Sequence, residues 1–391
     1  MHDRTAVPGA PTGPTLAQLS RYFLWLGTVG FGGPVVLVER MRRDLVDERR
    51  WVTPTEYKEG LALAQLAPGP LAAQLAIYLG WVRAGFAGAT GVGIAFVGPS
   101  FVMVLALSAS YIRFGGLPWM RGAFYGIGAA VIAMIGLSAT RLVRKTVGRD
   151  ALLWAIVAVN AAVTAWTQTE VVWVIAVSGL LVLVIREASR ARETTLAALV
   201  IPFWLITGIH GRSTGHTAVT LAAYFARAGA VVFGSGLAII PFLHGGVVLQ
   251  QHWLNERQFL DAVAVSMITP GPVVITVAFI GYLVAGPIGA CAAALGVFLP
   301  VYLVVLLAAR WFHRLAANQR LRSVIDGVTA AATGAIVGAV YVLGRRALVD
   351  VGTWVIFAVT FFVVLRARKI PEPLMILAAG IAGILLTMVS A

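Results

Sequence analysis

Charge is scarce in this chain. Of 391 residues only 12% are Asp, Glu, Lys or Arg, while 59% are hydrophobic and the mean hydropathy is +0.88. Soluble domains carry about a quarter charged residues, so the composition excludes an ordinary soluble fold and reads as a polytopic, multi-pass membrane protein. Cysteine is nearly absent. Cys291 stands alone in the apolar run GPIGACAAALG, which removes a disulfide framework and a thiolate metal site. The six histidines are scattered, His210 and His216 being the closest pair, so no metal is expected. No G-x-x-x-x-G-K-[ST] loop occurs, which excludes transport driven by the chain's own ATP hydrolysis. No motif-grade nucleophile and base occur together, so the chain is not read as an enzyme, and no cofactor is implied. The first fifteen residues are rich in Pro and Gly without a signal peptide's apolar core, and read as a disordered tail. The net charge of +14 would suit nucleic acid, but the basic residues sit in short loops between apolar segments. That placement sets membrane topology. The expected partner is a lipid bilayer, not nucleic acid.

What the chain does have is one tripeptide twice. Pro68-Gly69-Pro70 lies in LALAQLAPGPLAAQLAIYLG and Pro270-Gly271-Pro272 in AVAVSMITPGPVVITVAFIG, 202 residues apart. Two prolines around a glycine break a helix, and in hydrocarbon broken backbone persists only where protein or a water-lined cavity satisfies it. A duplicated broken segment points to a transporter's substrate site.

The same offset pairs Phe31-Gly32 with Phe233-Gly234 and Trp51 with Trp253. After a one-residue slip, Gly80 pairs with Gly281, Pro99 with Pro300 and Arg121 with Arg322; after another, Asp150 pairs with Asp350. The expected division is a tail over 1–16, a transporter repeat over 17–187, a linker with an apolar stretch over 188–218, and a second repeat over 219–391. Each half has six apolar segments, in the first near 17–38, 56–83, 86–112, 119–143, 151–167 and 170–186. The expected fold is all-α, two homologous six-segment halves with broken or re-entrant helices. Segment 39–50 carries five arginines and its counterpart 241–256 none; loop 113–121 has two arginines and its counterpart 310–322 has four. Such opposed loop charges predict inverted-topology repeats. Loops 39–50 and 141–149 both look cytoplasmic, which three full spans between them would forbid. A re-entrant hairpin at 56–83 removes the conflict; a kinked full span is the alternative.

Candidate substrate-binding residues surround the breaks. They are Gly32, Gly33 and Pro34 with Gly234, Ser235 and Gly236, and the two turns Pro68, Gly69, Pro70 and Pro270, Gly271, Pro272. Glycine lets backbone approach a ligand, and a half-helix N-terminus binds anions through unpaired N–H groups and its dipole. Gln65 and Gln74 bracket the first turn, and Ser266, Thr269 and Thr276 the second, as neutral donors for an anion that must later leave. Arg121 and Arg322 draw an anion inward or serve as interface anchors. Asp326 lies one turn beyond Arg322 and suits an i, i+4 pair. Gly85-x-x-Gly88, Gly286-x-x-Gly289 and Gly334-x-x-x-Gly338 read as close helix packing.

FLWLGTVGFGGP followed by RRWVTPTEYKEGLALAQLAPGP resembles the signature of the chromate ion transporter family. AGAVVFGSGLAIIPFL and HWLNERQFLDAVAVSMITPGP are similar to that family's C-terminal domain, which makes this the long, two-domain form. The resemblance implies export of chromate across the bacterial cytoplasmic (inner) membrane, with sulfate as a competitor or counter-substrate. Ser235, where glycine is commoner, and Ser266 depart from the pattern and bear on substrate preference. The residues alone support a two-repeat anion carrier and leave open a sulfate or other oxyanion carrier, an anion channel, the coupling ion and the oligomeric state, a homodimer included.

Overall fold

The computed structural model describes residues 13–31, 33–114, 117–168, 172–188, 217–231, 239–316, 319–366, 370 and 372–389. The chain builds α-helices, and no strand occurs among the described residues. In the first half these are α1 (Leu16–Val29), α2 (Gly33–Arg42), α3 (Pro54–Leu66), α4 (Leu71–Phe114), α5 (Pro118–Val147), α6 (Ala151–Thr167) and α7 (Val172–Ala188). The second half gives α8 (Thr217–Val231), α9 (Ile239–Leu243), α10 (Glu256–Ile268), α11 (Thr276–Ala316), α12 (Gln319–Ala347), α13 (Val351–Arg366) and α14 (Glu372–Val389). Among the described residues four stretches are long and apolar enough to cross a membrane: Leu71–Phe114, Pro118–Arg144, Val273–Ala309 and Ser323–Ala347. The expected linker falls almost wholly outside the described residues, as do Gly32 and Gly234 to Gly236.

Local chemistry sets the helix starts. Thr15 with Gln18, Thr53 with Glu56, and Asn255 with Gln258 each form a capping box, and Pro54 opens α3 where its missing N–H costs nothing. The repeat is visible bond by bond. After α2 the chain widens into a π turn over Arg43–Glu48, and after α9 over His244–Gln250. Arg49 N–H donates to Asp44 O and Trp51 N–H to Leu45 O; at the matching places Gln251 donates to Gly246 and Trp253 to Val247. Ala84-Gly85 and Ala285-Gly286 leave helical geometry at equivalent points, so α4 and α11 are each two limbs joined at a glycine of positive φ.

The arms of the first broken segment fold back on one another. Tyr78 of α4 donates to Glu59 of α3 at 3.3 Å, and a Cβ on Gly60 would touch the Tyr78 ring. Continuing as one span would separate Glu59 from Tyr78 by about 29 Å at 1.5 Å per residue. The two arms thus form a hairpin.

The halves are interlocked. Helix α5 packs on α13 and α14, and α12 packs on α6 and α7, while α5 and α12 pack on each other. The last helix pair of each half therefore leans on the opposite half. Glycines make the crossings close: a Cβ on Gly126 would lie 1.9 Å from Ala379 O, and one on Gly327 would lie 2.7 Å from Ser178 O. Of the expected close-packing glycines, Gly88 faces Gly80 O, Gly289 faces Gly281 O, and Gly334 and Gly338 face Val157 O and Ala161 O, whereas Gly85 and Gly286 have nothing within 4 Å and serve the positive-φ break instead. Phe86, Ile94 and Val102 on α4, and Ile288, Leu295 and Leu307 on α11, are exposed apolar side chains that suit lipid contact.

The expected pairing of Asp326 with Arg322 involves a side chain outside the described residues, and Asp326 has a further cation. It accepts from Arg186 of α7 at 2.7 Å, and Arg186 also bridges to Asp150, the N-cap of α6, at 2.9 Å. Arg186, with the amides of Leu153 and Leu152 adding to it, holds the Asp150 carboxyl below its ordinary value. A depressed carboxyl contributes stability above the unfolded value and loses it as pH falls through the folded one. Arg186→Gln should lower stability by about 1 kcal/mol or less at neutral pH, the pair being partly exposed. In denaturation titrations from pH 7 downward, the gap to wild type should close as pH drops below the ordinary carboxylate range, about 4. A constant gap would assign the loss to packing.

Candidate anion site

Each Pro-Gly-Pro turn ends one helix and starts the next. Ala67 and Thr269, the residues that close α3 and α10, are extended, and Gly69 and Gly271 take φ of +133° and +101°. An L side chain rarely adopts that backbone, which is why glycine stands there. The first turns that follow, at Leu71–Ala73 on α4 and Val273–Val274 before α11, carry N–H groups with no acceptor inside their own helix.

The two turns meet each other. A small cavity, of about the size of one water, is lined by Pro34 and Leu37 of α2, by Pro70 and Ala72, and by Gly271 to Val273. Gly271 N–H donates to Gly30 O of the first half at 3.0 Å. The closest neighbours of a Cβ at Gly271 would be Ser100 Oγ, at 1.9 Å, and at Gly69 they include both Val301 methyls, at 2.9 Å. Ser100 and Val301 are themselves equivalent by repeat, each following the proline inside its long helix, Pro99 or Pro300. Reciprocal contacts of this kind belong to a two-fold relation. Within each half a further equivalent contact recurs, Gly27 facing Phe96 O and Gly229 facing Val297 O.

The polar side chains expected at the site are engaged with backbone. Gln74 donates to Pro68 O at 2.6 Å and to Ala67 O at 3.3 Å. Ser266 donates to Val263 O, Thr269 to Val265 O and Ser266 O, and Thr276 to Val273 O. They fix the turns, while apolar side chains and main-chain groups line the cavity. Pro34 is where the sequence placed it, and Gly33 begins α2. Gln65 is exposed on α3 and Arg121 exposed near the start of α5, neither lining the cavity; the Arg322 side chain lies outside the described residues. Leu37, Ala72 and Val273 at the lining, and Ser100 and Val301 behind the glycines, escaped the sequence reading. The paired Pro99 and Pro300 were the signal for the last two. Among the described residues no His, Cys, Asp or Glu group has the form of a metal centre.

A family model described as chromate transporter matches residues 17–183 and 219–384. A "Chromate transport protein" of Cupriavidus metallidurans is 53% identical over 388 residues, covering 98% of this chain and 96% of that protein. A "Probable chromate transport protein" of Synechococcus elongatus is 52% identical over 375 residues, 95% of each chain. A "Chromate transport protein" of Pseudomonas aeruginosa is 33% identical over 385 residues, covering 94% of this chain and 91% of its own length. No solved structure matches the chain.

Proposed function

The chain belongs to the chromate transporter family, and from that premise we propose that it exports chromate across a bacterial cytoplasmic membrane as a secondary carrier. The observation that carries this reading is the meeting of two equivalent helix starts, at Pro70 and Pro272, on one cavity between the halves. Two sets of first-turn N–H groups converging from opposite halves favour a tetrahedral oxyanion through main-chain donors and dipole ends. Neutral donors hold it loosely enough to release it. Each negative charge leaving an inside-negative cell gains about 2.3 kcal/mol per 100 mV, so the membrane potential suffices as a driving force for export.

The halves are inverted repeats in this reading, and the turns re-enter near the bilayer midplane. Opposed loop charges and the reciprocal contacts at Gly69 and Gly271 support it. Arg49 and Gln251 are equivalent and both exposed. With Cys291 replaced by serine, Arg49→Cys should be labelled by an impermeant thiol reagent from the cytoplasmic side only and Gln251→Cys from the outside only. Labelling of both from one side would make the repeats parallel. Transport itself is tested by counterflow in liposomes: trapped unlabelled chromate should accelerate uptake of labelled chromate. No acceleration with rapid equilibration would indicate a pore.

A further inference from the structure

A buried carboxyl of the second re-entrant segment is held from the opposite half. Asp261, on the second turn of α10, is 4% exposed. Tyr111 of α4 donates to it at 2.6 Å. Phe124 of α5 and Phe279 of α11 pack edge-on against the Tyr111 ring, so hydroxyl and carboxyl meet beside an aromatic wall. Among the described residues Asp261 forms no ion pair, and Arg257, a turn earlier and exposed, acts on it only through space. A carboxylate withdrawn from water with one neutral partner is costly. Carboxyls at membrane depth mark ion and proton paths.

The repeat supplies a second carboxyl for comparison. Glu59 is equivalent to Asp261, and each stands eight residues before the one that closes its helix, Ala67 or Thr269, about 12 Å along the axis. Glu59 accepts from Tyr78 of its own half. The counterpart of Tyr78 is Phe279, which has no hydroxyl, and Tyr111 of the first half supplies one instead. With inverted repeats, α3 enters from the cytoplasmic face and α10 from the outer face. Asp261 then lies on the outer side of the anion cavity and Glu59 on its cytoplasmic side. A movement between the halves breaks the Asp261 bond and leaves the Glu59 bond intact. We propose that Asp261 binds the coupling proton of the transport cycle, taking it from outer water when Tyr111 withdraws with the first half and carrying it inward in exchange for the departing anion. This rests on the carrier reading above and names its counter-ion. The O–H bond forms on a carboxylate oxygen of Asp261 and breaks to cytoplasmic water, and no electron moves. Once neutral, the carboxyl can be buried without the tyrosine at far lower cost.

Other ionisable groups on and around α10 have different partners. Glu256, at its start, bonds His244 of the π turn and Arg346 of α12. On α5, Tyr125 donates to Asp350 and Arg121 is exposed. On α4, Arg113 is exposed beside the Phe114 ring, and α11 brings the partly buried Tyr282. The Glu372 side chain on α14 lies outside the described residues, and Val273–Ile275 holds no ionisable group. All of these persist in an Asp261 variant, so a pH response lost there belongs to Asp261.

The test is efflux of chromate from liposomes that trap it with a pH dye, at alkaline pH equal on both faces and with the potential clamped. Efflux through the wild type should acidify the lumen, whereas export of a protonated anion would make it alkaline. Asp261→Asn should lose both the acidification and the response to outer pH. Chromate–chromate exchange, which carries no net proton, shows whether that variant has folded. Tyr111→Phe keeps the carboxyl but removes a donor that favours its charged form, so the outer-pH profile of efflux should move to higher pH. That second variant decides if Asp261→Asn fails to fold. No acidification by the wild type, acidification kept in Asp261→Asn, or an unmoved profile in Tyr111→Phe would overturn the proposal and leave the carrier reading standing. Absence of chromate exchange in the wild type would overturn both.

Discussion

Gly271→Ala is expected to cut chromate transport by more than tenfold, and Gly69→Ala to do nearly the same. The φ of +101° at Gly271 costs an alanine about 1–2 kcal/mol. The new Cβ would also fall 1.9 Å from Ser100 Oγ, inside the fully buried contact between halves. At Gly69 the neighbours are softer, Gln74 Nε2 at 2.8 Å and the Val301 methyls at 2.9 Å, but the backbone strain is the same in kind. Initial rates normalised to inserted protein measure the effect. Ser100→Gly should relieve the clash in Gly271→Ala and restore thermal stability. It should not restore transport, because the Cβ still occupies the cavity wall. Full recovery of transport in the double variant would reduce Gly271 to a packing residue.

The second large effect lies far from the site. Gly126→Leu and Gly327→Leu should each abolish a stable, monodisperse protein in detergent. At Gly126 the first added carbon would meet Ala379 O at 1.9 Å and Gly383 Cα at 2.9 Å. Backbone cannot yield as a side chain does, so α5 and α14 must part. Overpacking in ordinary cores costs about 1–3 kcal/mol, and separating two helices exceeds that. Gly128 is the control: nothing lies within 4 Å of its added carbon. Gly128→Ala should be neutral, or stabilising by up to about 1 kcal/mol as a helical glycine replaced. Equal behaviour of Gly126→Leu and Gly128→Ala in a thermal shift assay would refute the interlocked arrangement of the halves.

The repeat was legible in the sequence because its markers are prolines and glycines, whose backbone consequences do not depend on context. Pro68-Gly69-Pro70 and Pro270-Gly271-Pro272 do break helices, and segments 56–83 and 86–112 do part at Ala84-Gly85. The interlocking was not legible. Aligning Arg121 with Arg322 says which residues are equivalent, not which half each helix leans on. Spacing along one helix likewise offered Asp326 a partner on α12 and could not show that it bonds Arg186, which comes from α7. The hydroxyls of Ser266, Thr269 and Thr276 read as ligand donors because a sequence shows a donor but not the carbonyl three or four residues back that takes it. Gln74 differs from them in having a second polar atom left over, which only the structure reveals.

If the two Pro-Gly-Pro turns form one anion site, chromium anomalous scattering from crystals of the protein grown with chromate will show it. A single chromium peak per chain is expected in the cavity between Ala72 and Val273, within hydrogen-bond reach of the first-turn amides of both halves. A peak beside Arg121 or Arg322 with none between the turns, or two separate peaks each served by one half, would contradict it.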